Sequence, residues 1–154
     1  MQQTALNCFM EFLWTPMKIL PIPSKESIAQ QKEFYGRDAG IRFAGVHLLV
    51  ELWHSKYLTN APKIRSILTK AIEACGATML GIDLHVFSPN GGISGVAILK
   101  ESHISIHTWP EFDYAALDVF VCGSINPHLA VDQIKLEFQP EKIEITEIKR
   151  GILP

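Results

Sequence analysis

The string KESHISIHTWPE, residues 100–111, alternates polar and apolar positions in the way that a half-buried β-strand does. Its polar positions hold Ser102, His103, Ser105 and His107 rather than ordinary solvent-facing residues. Histidine changes its charge near neutral pH, and a serine hydroxyl becomes a nucleophile when a base stands beside it. The residue types and their spacing therefore indicate a strand that carries chemistry.

Three interpretations of this strand remain open on residue types alone. The histidines can be hydrogen-bonded structural residues, which is the commonest role of a single histidine on a strand. A metal site from His103, His107 and a carboxylate or Cys122 is awkward, because each strand residue advances about 3.3 Å and separates the rings. A nucleophilic Ser102 next to Glu101 suits acyl chemistry, although the G-x-S-x-G elbow of serine hydrolases is absent.

The following segment, YAALDVFVC at residues 114–122, is predicted to be the next strand. The string PEFD lies between the two strands and suits a hairpin connection. In such a hairpin His107 and Cys122 need not be directly opposite each other to line one pocket. Alternation assigns one face of the second strand to Tyr114, Ala116, Asp118, Phe120 and Cys122.

Two amphipathic helices are predicted, one before and one after these strands in the sequence. In the first, Asn60 suits the N-cap, Pro62 the first turn and Gly76 the C-terminal end. Its apolar stripe consists of Ile64, Ile67, Leu68, Ala71 and Ile72. The second helix opens at Asn126 and Pro127 and is predicted to turn these residues inward: Leu129, Ala130, Ile134 and Phe138.

The predicted order of elements is β-α-β-β-β-β-α-β, starting with alternation in GVHLLVELW and ending with EKIEITEIK. Strands joined by short turns favour a mostly antiparallel sheet, and two helices can cover only one of its faces. We therefore expect an α+β, two-layer sandwich. The uncovered face needs a partner, so we expect a homodimer that associates through the sheet side.

Composition limits the remaining choices. A chain of 154 residues suits one main domain, which we place at residues 44–154, after an irregular extension at 1–43 with one short helix from Lys25. The net charge of −2 gives no argument for nucleic acid, and no apolar run reaches the length of a membrane span. Three widely spaced cysteines favour a reducing cytoplasm over a disulfide framework.

The string ESHISIHTWPE followed by YAALDVFVCG resembles the signature of S-adenosylmethionine decarboxylase proenzymes of the short bacterial and archaeal form. The resemblance covers residues 45–149 and includes GVHLLVEL, ACGAT and GISGVAIL. It implies a pyruvoyl cofactor, made by self-cleavage between Glu101 and Ser102. The Ser102 hydroxyl attacks the Glu101 carbonyl and forms an ester. Loss of the Ser102 α-proton then expels Glu101 and leaves a β chain and an α chain that begins with the converted residue.

The same resemblance implies a role for five further residues. His107 matches the base that takes the α-proton during processing, and Ser94 matches the serine that assists by hydrogen bonding the oxyanion. Cys122 matches the proton donor of the decarboxylation. Phe87 matches the aromatic residue that stacks on adenine, and Glu111 matches the carboxylate that binds both ribose hydroxyls.

The resemblance implies decarboxylation of S-adenosylmethionine through a Schiff base to the pyruvoyl group, giving the aminopropyl donor of spermidine and polyamine synthesis. It also implies a homodimer of cleaved protomers with active sites at the subunit interface, and it assigns no role to His103. Val86 replaces a common arginine, and the loop SPNGGIS is one residue longer than usual. These departures keep open a pyruvoyl-dependent ornithine or arginine decarboxylase. An uncleaved regulatory homologue is the non-enzymatic alternative.

Overall fold

The computed structural model describes residues 35–123 and 125–153. These ranges contain the helices α1 (Ala61–Cys75) and α2 (Pro127–Phe138), neither of which is long and apolar enough to span a membrane. The strands are β1 (Gly36–Asp38), β2 (Ile41–Trp53), β3 (Met79–Val86), β4 (Ile93–Leu99), β5 (Ser102–Trp109), β6 (Tyr114–Cys122) and β7 (Lys142–Leu153).

The seven strands form one antiparallel sheet in which six follow the order β1-β2-β6-β5-β4-β3 and β7 also pairs with β2. Strands β3, β4, β5 and β6 follow one another as a meander, because short turns allow only antiparallel neighbours. The predicted α+β class, the antiparallel sheet and the two helices are confirmed.

Helix α1 begins and ends where its sequence predicts. The Asn60 side chain accepts a hydrogen bond from the Lys63 backbone N–H at 3.0 Å, and so satisfies a donor that the first turn leaves free. Gly76 ends the helix at φ 74°, a left-handed conformation that costs glycine little. All five residues of the predicted apolar stripe are buried.

Helix α2 also begins at its predicted cap, where Asn126 accepts the His128 backbone N–H at 3.0 Å. The prediction that Leu129 faces inward is wrong, because its side chain is 46% exposed. Leu129 lies two residues after Pro127, off the stripe that a spacing of three and four residues creates. The buried stripe consists of Pro127, Ala130, Val131, Ile134 and Phe138.

The two helices contact each other and pack against one face of the sheet, which alternation fills with apolar side chains. Leu48, Val50 and Leu52 of β2 are fully buried there. We call the opposite side, which neither α1 nor α2 covers, the open face. On the central strands the open face carries His47, Glu51, His103, Ser105, His107, Ala116, Asp118 and Phe120.

Ordered strands begin before the predicted domain boundary at residue 44. Strand β1 pairs with the start of β2, and Gly36 lies opposite Phe43. A boundary at residue 44 therefore falls inside β2, whose first residues lack the clean alternation that marks its later part. The short helix predicted from Lys25 lies outside the described residues.

Candidate active site

The turn between β4 and β5 carries the peptide bond at which the sequence predicts cleavage. Lys100 and Glu101 form a two-residue turn, and Ser102 opens β5 opposite Leu99. Ser102 has a φ of 145°, a backbone conformation that residues other than glycine rarely adopt. Holding a serine there costs on the order of 1–3 kcal/mol. Strain is therefore concentrated at the predicted cleavage point.

The Ser102 hydroxyl is within hydrogen-bond distance of the next side chain in the sequence. Its Oγ lies 3.2 Å from His103 Nδ1. Neighbouring residues of a regular strand point to opposite faces, so this contact reflects the unusual backbone at Ser102. The pairing of hydroxyl and imidazole is one that can activate a serine oxygen.

Glu101 is held through both its carbonyl and its carboxylate. The Cys122 backbone N–H donates to the Glu101 carbonyl oxygen at 3.0 Å. The Thr78 N–H and hydroxyl donate to the Glu101 carboxylate at 2.8 and 3.2 Å. The Lys100 N–H in turn donates to the Thr78 carbonyl at 2.9 Å. A donor on the carbonyl oxygen polarises the carbonyl carbon and stabilises negative charge that develops on the oxygen.

Cys122 ends β6 directly beside this turn. It is a free, half-buried thiol, and alternation with Val121 places it on the open face. Cys75, by contrast, lies in the core, where burial raises the pKa of its thiol. Of these two residues, Cys122 is the one whose backbone N–H contacts the strained peptide. We call the residues around this turn the cleavage end: Glu101, Ser102, His103 and Cys122.

The other predicted site residues meet at the far end of β5. His107 and Ser94 are register partners, and Ser94 Oγ lies 2.8 Å from His107 Nδ1. They line a cleft of about 570 Å³ together with Phe87 and Glu111. The Glu111 carboxylate accepts a hydrogen bond from Asn90 Nδ2 at 3.1 Å. We call this group of four lining residues the cleft: Phe87, Ser94, His107 and Glu111.

The cleavage end and the cleft are far apart within one chain. His107 follows Ser102 by five residues, which is about 16 Å along a strand. His107 pairs with Ala116 of β6, whereas Cys122 lies beyond the pairing partner of Ser102. His107 and Cys122 therefore do not line one pocket of this chain. The structure brings the predicted residues together as two groups rather than one.

A polar network at the middle of the open face joins three strands and was not predicted. The Asp118 carboxylate bridges His47 Nε2 at 3.1 Å and the Ser105 hydroxyl at 2.9 Å. The His47 and His103 rings stand edge to face, with centroids 6.5 Å apart, and both contact Phe120. Polar residues on a strand hinted at this network, but only the strand register shows which of them meet.

The metal interpretation of the two histidines gains no support from the geometry. His103 and His107 share a face but are about 13 Å apart along β5. Among residues 35–123 and 125–153, no three His, Cys, Asp or Glu side chains are grouped in a way that could hold a metal ion. Each of the two imidazoles is instead within hydrogen-bond distance of a serine hydroxyl.

The fold and the site define a class of protein: a two-layer α+β domain with a strained, polarised serine peptide and a separate small-molecule cleft. A family model described as S-adenosylmethionine decarboxylase matches residues 46–151. The chain therefore belongs to the S-adenosylmethionine decarboxylase family, as the resemblance implied. This assignment makes it an enzyme of the carboxy-lyase class.

Similar proteins support the assignment. A S-adenosylmethionine decarboxylase proenzyme from Methanococcus maripaludis is 49% identical over 112 residues, which cover 71% of this chain and 91% of the relative. A proenzyme of the same name from Thermomicrobium roseum is 39% identical, covering 71% and 95% of the two chains. The crystal structure of the adenosylmethionine decarboxylase from Aquifex aeolicus matches with a TM-score of 0.65 and 32% identity, covering 73% and 94%.

Proposed function

We propose that this chain is a self-cleaving decarboxylase of S-adenosylmethionine that converts its own Ser102 into a pyruvoyl group. One observation carries the proposal: the Glu101–Ser102 peptide joins a strained serine to a carbonyl that accepts the Cys122 N–H. The family assignment and the word proenzyme in the names of the relatives support it. The product would be the aminopropyl donor for spermidine and other polyamines.

The cleavage needs only groups of this protein and water. The Ser102 hydroxyl attacks the Glu101 carbonyl carbon, and the amide becomes an ester. His107 takes the Ser102 α-proton, and the Glu101 carboxylate leaves as the new C-terminus of the β chain. Hydrolysis of the resulting enamine releases ammonia and leaves a ketone at residue 102. The Ser94 hydroxyl contacts His107 Nδ1 and holds the ring in place. We also propose that Ser94 assists the cleavage by hydrogen bonding the oxyanion.

The residues of the cleavage end fit a pyruvoyl group. The acyl shift breaks the peptide bond between Glu101 and Ser102, so the chain no longer holds Ser102 at its strained φ and the strain is released. When formed, a pyruvoyl group supplies a ketone that binds the substrate amine and withdraws electrons from the carboxyl bond. Cys122 lies beside it with a free thiol, suited to returning a proton to the substrate α-carbon.

The cleft suits the nucleoside part of S-adenosylmethionine. Its volume of about 570 Å³ lies within the roughly 300–1,000 Å³ range of small-molecule sites. Phe87 is 49% exposed, so its ring is available to stack on adenine. The Glu111 carboxylate can accept hydrogen bonds from both ribose hydroxyls. Ornithine and arginine have neither adenine nor ribose, so these two residues favour S-adenosylmethionine.

We infer that the active form is a homodimer packed through its open faces. A two-fold axis between two such faces that crosses β5 near Ser105 makes the β5 strand of the partner run antiparallel to β5 of the first protomer. The cleft of one protomer then meets the cleavage end of its partner. Within one chain the two groups cannot meet, because they lie about 16 Å apart along β5. Exposed apolar side chains on this face support the inference, including Ile98 at 53% and Ile148 at 43%.

A cytoplasmic location is part of the proposal. The described cysteines, Cys75 and Cys122, are free thiols, which persist best in a reducing compartment. The proposed proton donor also depends on such a compartment, because an oxidised Cys122 has no proton to give.

The experiment that tests this function measures carbon dioxide release from S-adenosylmethionine, ornithine and arginine, each labelled at the carboxyl carbon. The wild-type chain should release it from S-adenosylmethionine alone, and Ser102→Ala should release none. Ser66→Ala is a matched control, since Ser66 is an exposed serine of α1, and it should release carbon dioxide as the wild type does. Release from ornithine or arginine, or an active Ser102→Ala variant, would overturn the proposal.

A further inference from the structure

We propose that His103 is a catalytic residue of self-cleavage: it removes the proton from Ser102 Oγ during the acyl shift, before His107 acts. The inference rests on the proposed function and divides its two proton transfers between two histidines. His103 serves the first transfer within its own chain. His107 serves the second, the loss of the α-proton, from the partner protomer.

The first argument is contact with the reacting atom. His103 Nδ1 lies 3.2 Å from Ser102 Oγ, and within the described ranges it is the side chain that hydrogen-bonds this hydroxyl. A base must stand at this distance to accept a proton. His107 of the same chain lies about 16 Å away along β5 and its Nδ1 already faces Ser94.

The second argument is how firmly the His103 ring is held. It stands edge to face against Phe120, with ring centroids 5.9 Å apart, and against His47 at 6.5 Å. His47 is in turn fixed by its contact with Asp118 at 3.1 Å. These neighbours restrict rotation of the imidazole, so that Nδ1 stays directed at the hydroxyl and little ordering remains to be done at the moment of reaction.

The acyl shift balances with a single imidazole. A bond forms between Ser102 Oγ and the Glu101 carbonyl carbon while the Oγ proton moves to His103 Nδ1. The negative charge on the former carbonyl oxygen is stabilised by the Cys122 N–H, which already donates to it at 3.0 Å. The C–N bond then breaks, and His103 returns the proton to the Ser102 nitrogen. The product is an ester with a free amine, and the imidazole is neutral again.

The test separates the two histidines by the intermediate at which each variant stops. Hydroxylamine cleaves an ester under mild conditions but leaves an amide intact. Purified His107→Ala should hold the ester, so hydroxylamine should split it between residues 101 and 102. His103→Ala/His107→Ala should stay an amide and resist, with ester formation at least about 100-fold slower, as expected for loss of a positioned base. Intact mass measures both products.

Further variants separate chemistry from folding. His103→Gln/His107→Ala keeps a polar side chain at position 103 but no base. It should form the ester as slowly as His103→Ala/His107→Ala does. Added imidazole should restore ester formation in His103→Ala/His107→Ala, which a purely structural defect would not allow. His128→Ala, an exposed histidine of α2, should leave cleavage unchanged.

Two results would overturn the inference, and they are distinguishable. If His103→Ala/His107→Ala forms the hydroxylamine-sensitive ester as fast as His107→Ala, His103 is not the base and the proposed function survives. If the wild-type chain forms neither ester nor fragments, the proposed function fails and the role of His103 fails with it.

Discussion

Cys122 contributes two different groups to the cleavage end. Its backbone N–H donates to the Glu101 carbonyl, and its side chain supplies a free thiol. A side-chain substitution leaves the backbone donor in place, because every residue except proline carries one. The two proposed roles, support of self-cleavage and protonation of the product, are therefore separable by mutation.

Cys122→Ala should still cleave itself but should turn over about 10²–10⁴-fold more slowly, since a positioned acid contributes that much. Carbon dioxide release is measured on protein whose cleavage is verified by intact mass. Cys75→Ala is the matched control, a thiol buried in the core at the end of α1, and it should keep its turnover. Wild-type turnover in cleaved Cys122→Ala would show that the proton donor is another group.

Glu111→Gln should cleave normally but should lose about 10- to 150-fold in kcat/KM for S-adenosylmethionine. The loss corresponds to a charge-assisted hydrogen bond of roughly 1.5–3 kcal/mol. Asp113→Asn is a suitable control, because this nearby carboxylate does not line the cleft. Unchanged kcat/KM in Glu111→Gln would remove the assigned ribose ligand and weaken the argument for a nucleoside substrate.

At the scale of elements, the two helices are joined by an ion-pair cluster on the covered side of the sheet. Glu137 of α2 contacts Lys63 Nζ at 2.7 Å and Lys70 Nζ at 2.6 Å, both from α1. Hydrogen bonds from these two lysines lower the pKa of Glu137 to about 2 from its ordinary value of 4.5. The cluster fixes how the helices lie against each other and so supports the layer behind the site.

The pKa of Glu137 predicts how its contribution depends on pH. Because the folded-state pKa lies below the ordinary value, the carboxylate stabilises the fold above about pH 4.5, and this stabilisation is lost as pH falls through about 2. Glu137→Gln should therefore have a lower Tm than wild type at pH 7, and the difference should shrink toward pH 2. Glu73→Gln, at an exposed position of α1, is the control. A pH-independent difference would contradict the assignment.

Local patterns predicted most elements, because caps and alternation act over a few residues. Asn60 and Gly76 bound α1, and the alternation of β2 separates its buried and open faces. Strand β1 was missed because three residues carry no periodicity. The error at Leu129 arose from judging residues by apolar character rather than by their position on the helix.

The candidate site was predicted as residues but not as an arrangement. The motif around Ser102 supplied the chemistry, yet its positive φ and the hydrogen bond from Cys122 depend on how β4, β5 and β6 pair. Thr78 and His103 gained their contacts with Glu101 and Ser102 in the same way. The division into two distant groups also needed the strand register, since spacing along the chain does not say which residues meet across it.

In the proposed homodimer, each active site contains residues from two protomers. Mixed dimers test this directly. When Ser102→Ala and His107→Ala chains are co-expressed, one of the two sites combines an intact Ser102 with an intact His107 from the other protomer. The His107→Ala chain should therefore be cleaved in the mixed dimer, although neither variant is cleaved alone. Mass spectrometry of differently tagged chains measures this.

The control for the mixed dimer is a combination that restores no site. Ser102→Ala co-expressed with a chain that carries both Ser102→Ala and His107→Ala should yield no fragments. If the His107→Ala chain stays whole in every mixture, sites made from two protomers are excluded and His107 must reach Ser102 within one chain.

The central claim is that the chain cuts itself between Glu101 and Ser102 and makes its electrophile from the serine. Intact-mass measurement of the purified wild-type protein tests this most directly. Two fragments are expected, residues 1–101 and 102–154, the second lighter by one ammonia than the same peptide with an ordinary N-terminal serine. An uncut chain that still decarboxylates S-adenosylmethionine, or a second fragment that keeps its N-terminal serine, would contradict it.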